Sequence, residues 1–271
     1  MPREAGILLP VTSLPGPYGI GCFSRHAYAF VDWLQGAGQT CWQILPLGPT
    51  GYGDSPYQSF STFAGNPYLI DLEALIEEGV LSRGECDGAA FGEDPTDIDY
   101  ASLYRHRYPL LRNAFHRSRH RDTPDYLEFI KISRWWLDDY ALFMALKEKY
   151  NGAPWNSWPE ELRLRREPAL EEARQDLRDE IGFQQYLQYQ FFRQWTALRD
   201  YAHSRGIRII GDMPIYVAAD SAEVWTHPDL FQLDTDGRPV SVAGVPPDAF
   251  SDSGQLWGNP LYRWEQHRKT G

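Results

Sequence analysis

Aspartates follow the apolar runs of this sequence, at positions where an α/β protein holds its ligands. Asp212 ends the apolar run IRIIGDM, and four more fall in predicted loops, namely Asp54, Asp220, Asp248 and Asp252. A pair of carboxylates is what glycosyl transfer requires, one to attack or stabilise the oxocarbenium-like centre and one to donate a proton. From position alone, Asp212 is open to three interpretations: a ligand for sugar hydroxyls, a nucleophile or a helix cap.

Aromatic residues lie beside short polar groups in the stretch GYGDSPYQSF, residues 51–60. Such a loop suits a sugar, whose ring has apolar faces and a polar edge. Trp257 lies between Gly254 and Gly258 in a second loop, and we interpret it as a stacking surface for a ligand, the alternative being a core anchor. The other tryptophans lie mostly in predicted helices and are interpreted as packing residues.

Three apolar runs predict the strands that would position these loops: 6–11, 40–45 and 207–213. A helix predicted between the first two runs makes a strand–loop–helix–strand order, which is typical of a parallel α/β sheet. Residues 46–206 are too many for a plain crossover, so we predict an inserted, mainly helical subdomain. Beyond the third strand, FQLDTDGRPVSV predicts a hairpin turning at Asp236–Gly237, and 246–262 a polar loop.

Charge and cysteine content exclude several classes of function. With 26 basic and 37 acidic residues among 271, the net charge is −11, which disfavours nucleic acid or an anionic membrane as partner. Cys22, Cys41 and Cys86 form neither a CxxC pair nor a disulfide framework. The sequence shows no signal peptide, and no window approaches the roughly 20 apolar residues of a membrane span. These features predict a cytoplasmic protein.

Cofactor and metal motifs are weak in this sequence. It has no GxxxxGK[ST] phosphate loop, no GxSxG elbow and no third glycine after Gly19 and Gly21. His116 and His120 lie four apart on a predicted helix, but the intervening Arg117 and Arg119 would repel a cation and no third ligand is nearby. We therefore predict no metal and no organic cofactor.

Four longer segments resemble one family: ILLPVTSLPGPYGIG (7–21), WQILPLGPTGYGDSPYQSFSTFAGNPYLID (42–71), IIGDMPIYVAADSAEVW (209–225) and DAFSDSGQLWGNPLY (248–262). They look like the amylomaltases, also called 4-alpha-glucanotransferases or disproportionating enzymes, of glycoside hydrolase family 77. The second and fourth segments are long and specific, and all four occur in the family's order. The resemblance covers nearly the whole chain and is weakest at about 85–200.

The resemblance implies a (β/α)8 TIM barrel that transfers α-1,4-glucan segments between maltooligosaccharides by a retaining double displacement. It implies no metal and no cofactor. Carried over by motif, Asp212 is implied to bind hydroxyls and not to act as the nucleophile, and Trp257 to stack on bound sugar. Further implied glucan contacts are Tyr52, Asp54, Ser55 and Tyr57, with Tyr104 as part of a remote glucan site.

The sequence also departs from this family. The family's nucleophile lies in a motif like RIDHFRG, its acid/base glutamate follows on the next strand, and an essential aspartate lies in a segment like THDN. Only superficial fragments occur here, IDY at 98–100 and THPD at 226–229. We therefore expect only about the first three barrel strands, no catalytic carboxylate, and a chain that is inactive and poorly folded by itself.

The expected divisions are a first part of the barrel at 1–84, a helical subdomain at 85–200 and a truncated barrel continuation at 201–271. Two other functions stay open from the sequence. One is a non-catalytic glucan-binding protein, which would use the same aromatic loops without turnover. The other is an alpha-amylase-type glycoside hydrolase.

Overall fold

The computed structural model describes residues 3–51, 53–92, 94 and 96–270. The chain divides into two compact units, and each unit is made of three separate stretches of sequence. The first unit comprises Met1–Leu47, Gly65–Ser133 and Gln185–Met213, and the second comprises Gly48–Ala64, Arg134–Gln184 and Pro214–Gly271. The boundaries expected at residues 84 and 200 stay predictions.

The first unit contains a three-stranded parallel sheet of order β1-β2-β3, built from Gly6–Leu8 (β1), Cys41–Gln43 (β2) and Arg208–Ile210 (β3). Gly6 pairs with Cys41, and Cys41 pairs with Arg208. The three predicted parallel strands are therefore confirmed, although each pairs over only three residues. Trp42 in the central strand is fully buried, and its indole Nε1 donates to the Leu9 carbonyl at 2.8 Å.

Most other elements are helices, and polar side chains cap the first turn of several of them. Ser24 caps α1 and Asp71 caps α2 through their side chains, while Ser82 and Glu85 form a capping box at α3. In chain order the helices are α1 Arg25–Gly36, α2 Leu72–Glu77, α3 Arg83–Asp87, α4 Tyr100–Arg117, α5 Pro124–Lys149, α6 Glu160–Arg163, α7 Glu167–Asp176, α8 Arg178–Ser204, α9 Ala222–Thr226 and α10 Trp264–Thr270. The chain between the second and third strands is thus mainly helical, as predicted. In the part of the chain that the structure describes, no helix is both long and apolar enough to cross a membrane.

A buried arginine fixes the loop after β1. The Arg107 guanidinium on α4 donates to the backbone carbonyls of Tyr18 (3.2 Å), Tyr68 (3.1 Å) and Ile70 (2.6 Å). Carbonyl dipoles thus replace the water that the cation would lose on burial. Arg107 therefore joins the glycine- and proline-rich loop at 14–21 to the segment that precedes α2.

The second unit has an aromatic core and a β-hairpin. Trp225 is fully buried, lies 5.6 Å from Trp158 in an edge-on arrangement, and donates through Nε1 to the Leu162 carbonyl. Strands Val242–Val245 (β4) and Gln255–Pro260 (β5) pair antiparallel, with an irregular register between Val242 and Gly244. The prediction of an unpaired polar loop over 246–262 is therefore wrong for its second half.

Two other sequence predictions have mixed outcomes. The hairpin predicted at Asp236–Gly237 is present as a short turn, in which Asp234 N donates to the Arg238 carbonyl at 2.9 Å.

The tryptophans other than Trp257 differ in burial. Four of them, Trp42, Trp155, Trp158 and Trp225, are buried, as expected for packing residues. Trp33, Trp135 and Trp264 are mostly exposed, so they pack against neighbouring aromatic rings at the surface and are not core residues.

Candidate functional site

A pocket of about 490 Å³ lies within the second unit. Three segments line it: the loop at 51–60, the stretch at 214–216, and β5. The lining residues are Ser55, Tyr57, Gln58, Pro214, Ile215, Tyr216, Gln255, Trp257 and Asn259. None of these described lining residues is charged, so the pocket offers aromatic faces and neutral hydrogen-bonding groups and no carboxylate.

The loop at 51–60 is held in shape by its own backbone. Gly51 N donates to the Gln58 carbonyl (3.0 Å), and Asp54 N donates to the Gly51 carbonyl (3.1 Å). Gly53 and Asp54 both have positive φ, at 83° and 54°, and these left-handed conformations let the chain reverse within the loop. The turn places Ser55 and Tyr57 in the lining.

Asp54 is a turn residue and is not among the residues that line the pocket. Burial raises the pKa of its carboxyl above the ordinary value. The structure therefore places Asp54 where it shapes the loop. A direct contact between Asp54 and a ligand stays a prediction.

Trp257 lies in β5 and is 38% exposed, so one part of its indole is available to a ligand. Its Nε1 donates to Gln255 Oε1 at 3.1 Å, which fixes the ring's orientation. The Tyr216 ring lies 6.2 Å from Trp257 and stacks at 6.0 Å and 12° on Tyr262. Trp257 and Tyr216 thus place two neighbouring aromatic rings in the pocket lining, and an aromatic ring suits the apolar face of a pyranose.

The pocket brings together three of the residues singled out in the sequence, Ser55, Tyr57 and Trp257. Sequence reasoning missed its other lining residues. Gln58 falls inside the family-like segment 42–71 and Asn259 inside the segment 248–262, and this was the one signal that could have found them. Tyr216 also falls in such a segment, after the third predicted strand.

The remaining predicted site residues lie elsewhere. Asp212 belongs to the first unit, is half-buried, and follows β3 by two positions. Tyr104 is an exposed residue of α4 whose ring lies 5.3 Å from Tyr108, and Tyr108 in turn contacts Tyr68 at 5.8 Å. Tyr52 lies outside the described residues. The roles proposed for these three side chains stay predictions.

Comparison with known proteins gives a single family. The model for the 4-alpha-glucanotransferases, glycoside hydrolase family 77, matches residues 9–271. The 4-alpha-glucanotransferase of Thermus thermophilus is 55% identical over 275 residues, which are 100% of this chain and 54% of that protein. The enzyme of the same name from Clostridium butyricum is 49% identical over 96% of this chain and 54% of its own length. The chain thus spans about half the length of the curated relatives it matches.

Solved structures agree with the family match. The amylomaltase of Streptococcus agalactiae, determined in complex with acarbose, is 48% identical with a TM-score of 0.94, over 99% of this chain and 55% of that one. The amylomaltase of Corynebacterium glutamicum has a TM-score of 0.72 at 21% identity, over 96% of this chain and 36% of that one. The second likeness speaks only for a shared fold.

Proposed function

Because this chain belongs to the 4-alpha-glucanotransferase family, we propose that it supplies the substrate-binding part of an enzyme that moves α-1,4-glucan segments between maltooligosaccharides. The match of the family model and the similarity to named 4-alpha-glucanotransferases confirm the resemblance that the four sequence segments indicated. A (β/α)8 barrel, of which β1, β2 and β3 would be consecutive strands, is part of the proposal. Its support is the parallel order of these strands and the likeness to the amylomaltase of Streptococcus agalactiae.

One observation carries the proposal. The uncharged, aromatic pocket is lined by residues of three family-like segments, 42–71, 209–225 and 248–262. Trp257 and Tyr57 offer rings to the C–H faces of a sugar, while Gln58 and Gln255 offer amides to its hydroxyls. A neutral polyhydroxylated ligand needs both kinds of group and no counter-charge. The solved complex of a 48% identical amylomaltase with acarbose supports the same ligand class.

The chemistry of the family assigns this chain a binding role. Retaining glycosyl transfer needs two carboxyl groups about 5–5.5 Å apart, one nucleophile and one acid/base. The described pocket lining holds no carboxylate, so its residues bind and orient the sugar and exclude water from its faces. Asp212 is proposed to bind sugar hydroxyls, and Tyr52, Asp54 and Tyr104 are proposed as further glucan contacts. The 271 residues alone are proposed to be inactive. In place of the expected poor folding, we propose that they fold, because each compact unit has buried apolar residues of its own.

A cytoplasmic location belongs to the same proposal. The three cysteines are free and buried, which fits a reducing compartment, and the acidic balance of charges gives no electrostatic attraction to a polyanion.

A second candidate function is that of a non-catalytic glucan-binding protein. The observation in its favour is the described pocket lining, which holds no carboxylate, as expected for a protein that binds sugar without turnover.

The test separates binding from turnover. We expect the 271-residue chain to bind maltoheptaose in calorimetry, and Trp257→Ala to weaken the affinity at least about fivefold, since loss of ring stacking costs on the order of 1 kcal/mol. Trp135→Ala is the matched control, because that indole is 68% exposed and lies outside the pocket lining. Absence of maltoheptaose binding would refute the proposal.

Turnover is tested by incubating the chain with maltotriose and analysing the products. We expect no products from the 271 residues. Glucose together with longer maltooligosaccharides would show transfer and contradict the proposed inactivity. Reducing sugar without longer products would instead support a hydrolase. Transfer by the same chain extended to the length of its relatives would separate the transferase from the non-catalytic binding protein.

A further inference from the structure

Two side-chain amides join the three segments that line the pocket. Gln58 Nε2 donates to the backbone carbonyl of Trp257 at 3.1 Å and to Asn259 Oδ1 at 3.0 Å. Asn259 Nδ2 donates in turn to the backbone carbonyl of Val217 at 3.0 Å. We call this chain of bonds, carried by Gln58 and Asn259, the amide relay. It connects the loop at 51–60, the segment at 214–217 and β5.

The polarity of the amide relay is fixed by its surroundings. Gln58 Nε2 faces two oxygens, so turning its amide by 180° would set oxygen against oxygen. Asn259 must present its oxygen to Gln58 and its nitrogen to Val217, and it is only 4% exposed, so water cannot replace a lost partner. Both N–H groups of Gln58 are used within the protein. Its Oε1 accepts no hydrogen bond from a described residue, so it is the atom of that amide left to accept from a ligand.

Trp257 needs such an external restraint because the backbone around it is permissive. Gly254 and Gly258 have φ values of 74° and 79°. No described atom lies within 4 Å of a Cβ built on Gly258, so packing does not enforce the conformation of the residue after the tryptophan. The bond from Gln58 to the Trp257 carbonyl holds this part of β5, and Gln255 holds the indole itself.

We propose that the amide relay is a positioning device that sets the Trp257 indole for sugar stacking, and that Gln58 favours ligands that donate a hydroxyl to its Oε1. This inference rests on the proposed glucan binding but needs no catalytic step. Asn259 acts through Gln58 and Val217, and it is therefore a positioning residue. A ligand with a hydroxyl donor beside the stacked ring face satisfies the free oxygen of Gln58, whereas an acceptor at that position does not.

The test observes Trp257 directly. Fluorine NMR of the full 271-residue chain labelled with fluorotryptophan gives a signal for each indole, and Trp257→Phe identifies the Trp257 signal. We expect Asn259→Ala and Gln58→Glu, which keeps the side chain's length but removes both donors, to shift or broaden that signal. The double variant Gln58→Glu with Asn259→Ala is expected to change it no more than either single change, because both act through one relay.

Gln188→Ala is the matched control for the loss of a buried amide. Gln188 is fully buried and bonds Gly65 through both ends of its amide, at 2.7 and 2.9 Å, away from the pocket lining. We expect this variant to leave the Trp257 signal unchanged. In parallel, the relay variants should bind maltoheptaose about tenfold more weakly, as expected when a buried amide loses its partner, and Gln188→Ala should not.

The outcomes distinguish the amide relay from the proposed function. An unchanged Trp257 signal in both Asn259→Ala and Gln58→Glu would overturn the relay, whether or not maltoheptaose binds. So would an equal change in Gln188→Ala, or a wild-type Trp257 signal identical to that of the urea-denatured chain. A Trp257 signal that responds only to relay variants, in a chain that binds no maltoheptaose, would support the positioning and refute the glucan function.

Discussion

His120 is a histidine enclosed by aromatic rings in the first unit. It is 5% exposed, and its ring lies 4.6 Å from Tyr186, 4.7 Å from Tyr126 and 5.5 Å from Phe115. Neither ring nitrogen has a hydrogen-bond partner among the described residues. Burial, together with the positive charge of Arg121, lowers the pKa of His120 to about 4. The folded chain therefore holds this imidazole neutral under mildly acidic conditions.

The lowered pKa predicts a loss of stability in acid. Since an unfolded histidine has a pKa of about 6.5, the unfolded chain binds a proton between about pH 6.5 and about pH 4 that the folded chain does not bind. Stability is therefore intact above about pH 6.5 and falls towards about pH 4. Between about pH 7 and pH 4.5 we expect the free energy of unfolding to fall about 2 kcal/mol further in wild type than in His120→Phe, as measured by urea denaturation.

The same variant has a second expected effect. At about pH 7, His120→Phe should be at least as stable as wild type, because it removes an unpartnered buried N–H from an apolar site. His116→Gln is the control, since His116 is exposed and its removal leaves the core unaltered. Parallel pH profiles for wild type and His120→Phe would contradict the assignment.

Single residues show what a sequence can and cannot predict at this scale. Trp257 was singled out because its indole and neighbouring glycines are visible locally, whereas Ser55 and Tyr57 were named through the family motif that contains them. Asn259 was not found, because its role depends on Gln58, a residue 201 positions away. The prediction that His116 and His120 lie on one helix is wrong, because α4 ends at Arg117 and His120 begins a separate 3₁₀ turn.

Among the elements, the last turn of α5 is held by a buried lysine. Lys147 Nζ donates to the carbonyls of Gly152 (2.7 Å) and Ala153 (3.2 Å) and to Asp220 Oδ2 (2.5 Å). Asp220 Oδ1 also accepts from Trp155 N at 3.2 Å. The end of a helix is thus joined to the loop whose first residues line the pocket.

The two partners of this ion pair are expected to respond unequally to mutation. The Lys147 side chain is 6% exposed, whereas that of Asp220 is 33% exposed. Asp220→Ala leaves a buried cation unpaired and should lower the free energy of unfolding by about 3 kcal/mol or more. Lys147→Met removes the buried charge, keeps most of the stem, and leaves a carboxylate that water can reach, so we expect a loss of only about 1–2 kcal/mol. Urea denaturation at one pH measures both losses.

An exposed ion pair provides the control for these values. Lys131 and Glu128 are 3.5 Å apart with mostly exposed side chains, so Glu128→Ala should change stability by less than about 0.5 kcal/mol. An Asp220→Ala loss no larger than that of Glu128→Ala, or a Lys147→Met loss exceeding that of Asp220→Ala, would contradict the proposed burial asymmetry.

Elements with a clear apolar pattern could be predicted, and those without one could not. The runs at 6–11, 40–45 and 207–213 were recognised as parallel strands because they are apolar and bounded by glycine or proline. Strand β5, Gln255–Pro260, has no alternation and contains Gly258, so its sequence is typical of a loop. Its pairing with β4 depends on backbone hydrogen bonds that no side-chain pattern records.

For the whole molecule, the family could be predicted but the division into compact units could not. Long motifs identified the family, and the match over residues 9–271 confirms it. The boundaries at Ser133 and Gln184 fall inside α5 and α8, and both helices continue unbroken across them. Gly182 lies near the second boundary, but a single glycine inside a helical pattern does not mark the end of a domain. A boundary set by tertiary contacts leaves no local signal in such helices.

The charge of the whole molecule leads to a last prediction, about salt. The chain carries a net charge of −11, yet the described pocket lining has no charged side chain and the proposed ligand is neutral. Binding therefore releases no condensed counterions, and the affinity for maltoheptaose should change less than about twofold between about 50 mM and 500 mM NaCl. Calorimetric titrations at several salt concentrations measure this directly.

A charged ligand would behave differently, and this difference makes the measurement decisive. Each phosphate contact of a single-stranded polyanion contributes a slope of about −0.7 to the plot of log affinity against log salt concentration, so even a few contacts produce a large loss over this range. A strong weakening of maltoheptaose binding with salt would show that charged side chains contribute to recognition of this neutral sugar. It would contradict the placement of the binding site in this uncharged pocket. An aromatic, uncharged site requires that the affinity for maltoheptaose be independent of salt concentration. It also requires that Trp257→Ala bind more weakly than wild type at every salt concentration.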